Sequence, residues 1–212
     1  MAGTGINARS TAKGSQTGTA SGIWIGKDGP NQFTFRNAGA GPAMTVIVWD
    51  FPAGDFEASF LNVRQPKISY SLPKVGDTVT ISLANGISGG FASLVTGRTR
   101  LSNFGQLDNT WGEFTTGSWA TVDVSRLVNT RGDPMNIKVQ GSGCVTNMDT
   151  CVFTCKNQAL TFCGQSGEYN LTNCANGSQP GATLGTNDGT NPEGGCQGWS
   201  NGGKLDIGLG AN

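Results

Sequence analysis

An all-β protein built from two packed sheets is the fold class that this 212-residue sequence predicts, on three observations. The chain carries 34 glycines among frequent Thr, Ser and Asn and has no long run of Leu, Glu, Lys and Ala, a composition that favours turns and strands over helices. Short apolar or alternating runs recur between turn signals. Within several of them the apolar residues alternate with polar ones, the signature of a sheet with one buried face. At this length about 70% of the unfolded surface is buried on folding, so a substantial core is available.

Residues 1–21 are small and polar and read as a flexible arm or edge strand. Strands are expected at IWI (23–25), QFTFR (32–36), TVIVWDF (45–51), KISYSL (67–72) and TVTISL (78–83). In TVTISL, Val79, Ile81 and Leu83 share the inward face, and in KISYSL the same holds for Ile68, Tyr70 and Leu72. TVIVWDF does not alternate and reads as a central strand buried on both sides. From Cys144 to Cys174 alternation is weak, and residues 176–203 hold nine glycines with few apolar side chains, so crosslinks must help to order them. KLDIGL, at 204–209, alternates again through Leu205, Ile207 and Leu209 and reads as a last strand returning to the main sheets. The expected organisation is therefore a two-sheet β-sandwich over 22–143 and 204–212, with a disulfide-rich lobe over 144–203.

Charge excludes several functions. Only 13% of residues are charged, 14 basic against 14 acidic, which leaves no field to attract nucleic acid or an anionic membrane. No segment approaches the apolar length of a membrane-spanning helix. Histidine is absent, which removes His-dependent nucleophile systems and imidazole metal sites. Any catalysis must run on carboxylates, and no cofactor is expected. The six cysteines, Cys144, Cys151, Cys155, Cys163, Cys174 and Cys196, all fall in the last third. With two glycosylation sequons, at Asn170 and Asn176, they point to a secreted, extracellular protein with disulfides. Zinc at Cys151-x-x-x-Cys155 ranks lower, because no second tight pair lies at finger spacing, and no metal site is expected. The start MAGTGINARSTAKG lacks the apolar stretch of a signal peptide and reads as a mature form behind an initiator Met. A monomer is expected.

The chemistry-bearing stretch is TWGEFTTGSWATVDVS, residues 110–125. Strands over 110–115 and 119–125, joined by Thr116-Gly117-Ser118, would set Glu113 opposite Thr121 and Trp111 opposite Asp123, all four on one face. Phe114, Ala120, Val122 and Val124 then face the core. Glu113 and Asp123 become diagonal neighbours with Cα atoms roughly 7 to 8 Å apart. Their carboxyl groups would be able to reach either spacing of glycoside hydrolysis, about 5 to 5.5 Å for retention or about 6.5 to 9.5 Å for inversion. A one-residue slip would bury Asp123. Trp111 beside the acids suits stacking on a sugar ring and equally suits a core.

At this stretch the sequence resembles the thaumatin-like, pathogenesis-related family. TWGEF at 110–114, VDVS at 122–125, RLVN at 126–129 and DPM at 133–135 are similar in order and spacing to that family's TLAEF, YDVS and LVDGFNxPM segments. GRTR at 97–100 with Phe104 is similar to its GRTxCxFD, QFTFRN at 32–37 to its FTIxNxC, and GSGCVTNMDTC at 141–151 to the entry of its disulfide-rich second domain. The resemblance implies a β-sandwich with an acidic cleft of one arginine, one glutamate and three aspartates. By motif position Arg98 matches the arginine, Glu113 the glutamate and Asp123 the first aspartate. Asn129 stands where the second would be, and Asp149 or Asp188 for the third. The family places several cysteines in its first half, so a divergent branch is implied, similar to fungal secreted members.

Three functions follow. The first is a binding module in which Arg98, Glu113, Asp123, Asn129 and Trp111 line a cleft for a neutral cell-wall β-glucan, with a role in host–microbe interaction or defence. The second is a weak endo-β-1,3-glucanase with Glu113 as general acid and Asp123 as nucleophile or base. It ranks lower because such an acid needs a raised pKa, and a neighbouring Arg98 would lower it. The third is a secreted effector or elicitor that meets a host protein through loops, with residues 176–203 and Trp199 as candidates. Arg131-Gly132-Asp133 spells the integrin tripeptide but is read as turn chemistry within the family-like DPM segment.

Overall fold

The computed structural model of the chain describes residues 22–39, 41, 43–51, 66–103, 105–165, 167–185 and 193–211. The expected arm of residues 1–21, together with Phe104 and Asp188, lies outside the described residues. Among the described residues there are fifteen strands and no helix, as the composition predicts.

One sheet has the order β1 (Ile23–Ile25), β5 (Thr78–Leu83), β2 (Asn31–Asn37), β15 (Gly203–Leu209), β9 (Met135–Val139), β10 (Val145–Thr146). The second runs β12 (Tyr169–Thr172), β11 (Val152–Cys155), β8 (Thr121–Ser125), β7 (Trp111–Thr115), β6 (Ser88–Val95), β3 (Met44–Asp50), β4 (Ile68–Leu72). β14 (Glu193–Cys196) also borders β8 and carries β13 (Ala182–Gly185). Both sheets are mixed. β2 and β15 pair in parallel over their full lengths, as do β8 and β11 at Val124 and Ser125. The C-terminal strand therefore lies in the interior of its sheet. Its alternation follows, since Leu205, Ile207 and Leu209 are buried while Lys204 and Asp206 are exposed.

The two sheets meet through aromatic rings. Phe33 on β2 packs edge-on against Phe114 on β7 at 5.1 Å, and Phe35 packs against Phe91 on β6 at 4.9 Å. Each such pair adds about 0.5–1.5 kcal/mol beyond its burial. Val79, Ile81 and Leu83 join this core, as do Ile68 and Leu72, while Tyr70 is only partly buried at its margin.

A second, smaller apolar cluster covers part of the outer face of the second sheet. It consists of Ile47, Trp49, Ala92, Leu94, Leu107 and Trp111. This explains the missing alternation in TVIVWDF: Val46 and Val48 face the inter-sheet core, and Ile47 and Trp49 face the outer cluster. Opposite faces of one strand are thus both apolar.

The described strands among the cysteine-rich residues 144–203 pair with the two sheets of the expected sandwich. β10 extends the first sheet from β9, whereas β11 and β14 share the free edge of β8 in the second. All six cysteines form disulfides, Cys144–Cys196, Cys151–Cys174 and Cys155–Cys163, with separations of 52, 23 and 8 residues. Closing loops of these lengths stabilises by about 4, 3 and 2.5 kcal/mol in the chain-entropy picture. The widest bond joins the start of β10 to the end of β14 and so ties one sheet to the other. Three disulfides point to an oxidising compartment.

Candidate functional site

The hairpin β7–β8 pairs Glu113 directly with Asp123, Trp111 with Ser125 and Thr115 with Thr121. The register differs by two residues from the expected one, which opposed Glu113 to Thr121. A shift of two keeps every side chain on its face, so the acids still share the outer face while Phe114, Val122 and Val124 enter the core. The cause lies in the connection. The Thr116 hydroxyl donates to Ala84 O at 2.8 Å and accepts from Ile87 N at 2.9 Å, and Asn201 N donates to Gly117 O at 2.8 Å. These bonds draw residues 116–120 out of the ladder as a five-residue loop. Gly117 sits there at φ +95°, where a Cβ would come within 2.9 Å of Gly86 N.

Directly opposed residues hold their Cβ atoms about 4.5–5.5 Å apart, closer than the diagonal spacing expected. The row continues across the sheet: Glu113 pairs with Gly90 on β6, and Gly90 with Trp49 on β3. Trp49 lies over Gly90, where a Cβ would stand 2.6 Å from its ring. A buried indole therefore closes one end of the row and the two carboxylates form the other. Glu113 is half-buried, and Asp123, though on the outer face, is only 6% exposed. β14 crosses beside it, with Gly195 so near that a Cβ would lie 3.2 Å from the Asp123 Cβ.

The expected stacking role of Trp111 is corrected. Its side chain is 1% exposed, packs edge-on against Trp49 at 4.9 Å and donates its indole N–H to Leu107 O at 2.9 Å. It belongs to the outer cluster and offers no face to a ligand.

Arg98 is also placed elsewhere. It lies in the turn after β6, where its guanidinium pairs with Asp133. That turn begins at Val95, five residues beyond Gly90, or roughly 16 Å along the strand. Asp133 accepts from Asn109 Nδ2 at 3.1 Å, and its backbone N–H donates to the Oδ1 of that side chain at 2.6 Å. The Arg-Gly-Asp tripeptide is thus turn chemistry, with its aspartate engaged inward. Asn129 donates to Asp108 O at 3.3 Å and accepts from Arg131 N at 2.8 Å, so it shapes its own loop. Asp149 is exposed in the turn between β10 and β11. Of the motif-matched positions among the described residues, Glu113 and Asp123 are paired directly across neighbouring strands.

Asn170 and Asn176 are both exposed, as sequon asparagines must be. The Cys144, Cys151 and Cys196 sulfurs cluster within 4.8 Å, but as members of two disulfides rather than as metal ligands. No protein-family model matches the chain, and a search of curated proteins finds no match.

Sequence reasoning passed over two tryptophans. Trp49 reads from the sequence as part of a buried strand, and its pairing makes it the neighbour of the acid row. Trp119, expected as the first residue of the strand over 119–125, lies instead in the turn before β8, which begins at Thr121.

Proposed function

We propose that this chain is a divergent, secreted thaumatin-like protein with a β-sandwich fold, and that it binds a neutral cell-wall β-glucan on the outer face of its second sheet. The observation that carries this reading is the direct pairing of Glu113 with Asp123. Glu113, half-buried, brings an acceptor carboxyl to the surface for the hydroxyls of a sugar ring, with Asp123, 6% exposed, directly behind it. Thr115 and Thr121 continue the same face with hydroxyl groups. The disulfides support an extracellular setting, where cell-wall glucan is met and a role in host–microbe contact or defence follows.

Binding is favoured over hydrolysis on geometry. Glycosidases place their two carboxyl groups on either flank of the scissile bond. Directly opposed residues on neighbouring strands project side by side from one wall, an arrangement suited to gripping a diol. A glycan array probed with the oxidised protein tests the reading: retention on β-1,3-glucans is expected, and retention on none of the neutral polysaccharides would defeat it. Reducing ends released from laminarin separate binder from hydrolase. No release above that of Glu113→Gln is expected.

A further inference from the structure

Trp119 is 75% exposed, whereas the other four of the chain's five tryptophans are 8% exposed or less. It stands at the rim of an open recess of about 500 Å³, with Asn85, Ser88, Thr115, Ser118 and Asn201 among the residues that line it. Among the described residues no charged side chain lines this recess, and Trp119 supplies its one large apolar surface. We propose that this recess is a second carbohydrate site, in which a neutral pyranose ring stacks on Trp119 while its hydroxyls bond to the surrounding amide and hydroxyl groups.

Composition of the lining selects the ligand. A protein-binding surface of this size would present an apolar centre of several side chains. A lone indole rimmed by uncharged donors and acceptors matches instead a ring with one face of C–H groups and an edge of hydroxyls. Absence of charge argues against a phosphate or an acidic sugar.

The turns that form the recess are hydrogen-bonded to one another without any ligand. Three turns meet in it: β5–β6 at 84–87, β7–β8 at 116–120 and the approach to β15 at 198–202. Gly86 N donates to Thr116 O at 3.1 Å, Asn201 N to Gly117 O at 2.8 Å, and Ser200 Oγ to Ser118 O at 3.1 Å. Ser88 Oγ and Thr115 Oγ1 lie 2.9 Å apart at its floor. Backbone on both sides of Trp119 is therefore held while its ring remains open to solvent. Such preorganisation lowers the entropic cost of binding.

The distribution of tryptophans makes the test direct, because Trp119 alone is accessible to a collisional quencher. Acrylamide quenching is measured on the oxidised protein with and without laminarihexaose, cellohexaose and chitohexaose at millimolar concentration. Protection by at least one of them is expected. Calorimetry with that sugar should then show Trp119→Ala binding about tenfold or more weakly, with Trp119→Phe recovering most of the loss. An exposed side chain leaves thermal stability unchanged on truncation, which separates loss of ligand from loss of fold. Unaltered quenching with all three sugars, or equal affinity of Trp119→Ala and wild type, overturns the site. This site does not rest on the acid pair. If Glu113→Gln with Asp123→Asn abolishes glucan retention and Trp119→Ala changes nothing, the recess is refuted and the acid-pair reading stands; the reverse pattern sinks that reading and keeps the recess.

Discussion

Single side chains decide where this protein meets other molecules. Trp111 and Trp119 are eight positions apart in one hairpin, yet one is sealed in the outer cluster and the other stands in solvent. Truncating Trp111 to Ala would open a cavity and cost about 3–5 kcal/mol, to be read as a lowered urea midpoint. Arg98 behaves oppositely. Its pairing with Asp133 is at the surface, with 58% of its side chain exposed, and exposed pairs contribute at most about 1 kcal/mol. Arg98→Ala should therefore lower stability by no more than that, and by less in high salt, as a thermal melt at two ionic strengths would record.

At the scale of elements, alternation was legible wherever one face of a strand is buried. TVTISL, KISYSL and KLDIGL fall in strands with the inward residues expected. TVIVWDF was legible as doubly buried, but what covers its far side was not, because the outer cluster is assembled from Ile47, Trp49, Leu107 and Trp111, residues from well-separated parts of the chain. The hairpin was legible in its faces and not in its register. Loop length there is set by the Thr116 hydroxyl reaching the β5–β6 turn and by Asn201 reaching Gly117, contacts that no local pattern announces. Gly117→Ala should accordingly destabilise by about 1–3 kcal/mol, through its positive φ and the nearness of Gly86. Loss of the hairpin register would appear as altered cross-strand contacts between residues 113 and 123 in nuclear Overhauser spectra.

Across the whole molecule, the cysteines and the acid site were legible to different depths. Even count and clustering in the last third pointed to disulfides, and all six are paired. Their connectivity depends on which strands border β8 and β9, a property of topology and so absent from the spacing alone. Because Cys144–Cys196 bridges the two sheets, replacing both cysteines by Ser should cost about 4 kcal/mol and lower Tm by on the order of 10 °C. Peptide mapping without reductant should recover the three pairs. Of the acidic cleft implied by motif order, Glu113 and Asp123 are paired across neighbouring strands while Arg98 and Asn129 serve their own turns, and motif order carries no information about such local pairing.

The β-glucan reading stands on Glu113 and Asp123 acting together toward a ligand. Co-sedimentation of the oxidised protein with insoluble β-1,3-glucan addresses it most directly, comparing wild type with the Glu113→Gln, Asp123→Asn double variant, whose side chains keep their size and lose their charge. We expect wild type to sediment and the double variant to bind about tenfold or more weakly while its circular dichroism stays that of the folded wild type. Equal sedimentation of the two proteins would contradict the account.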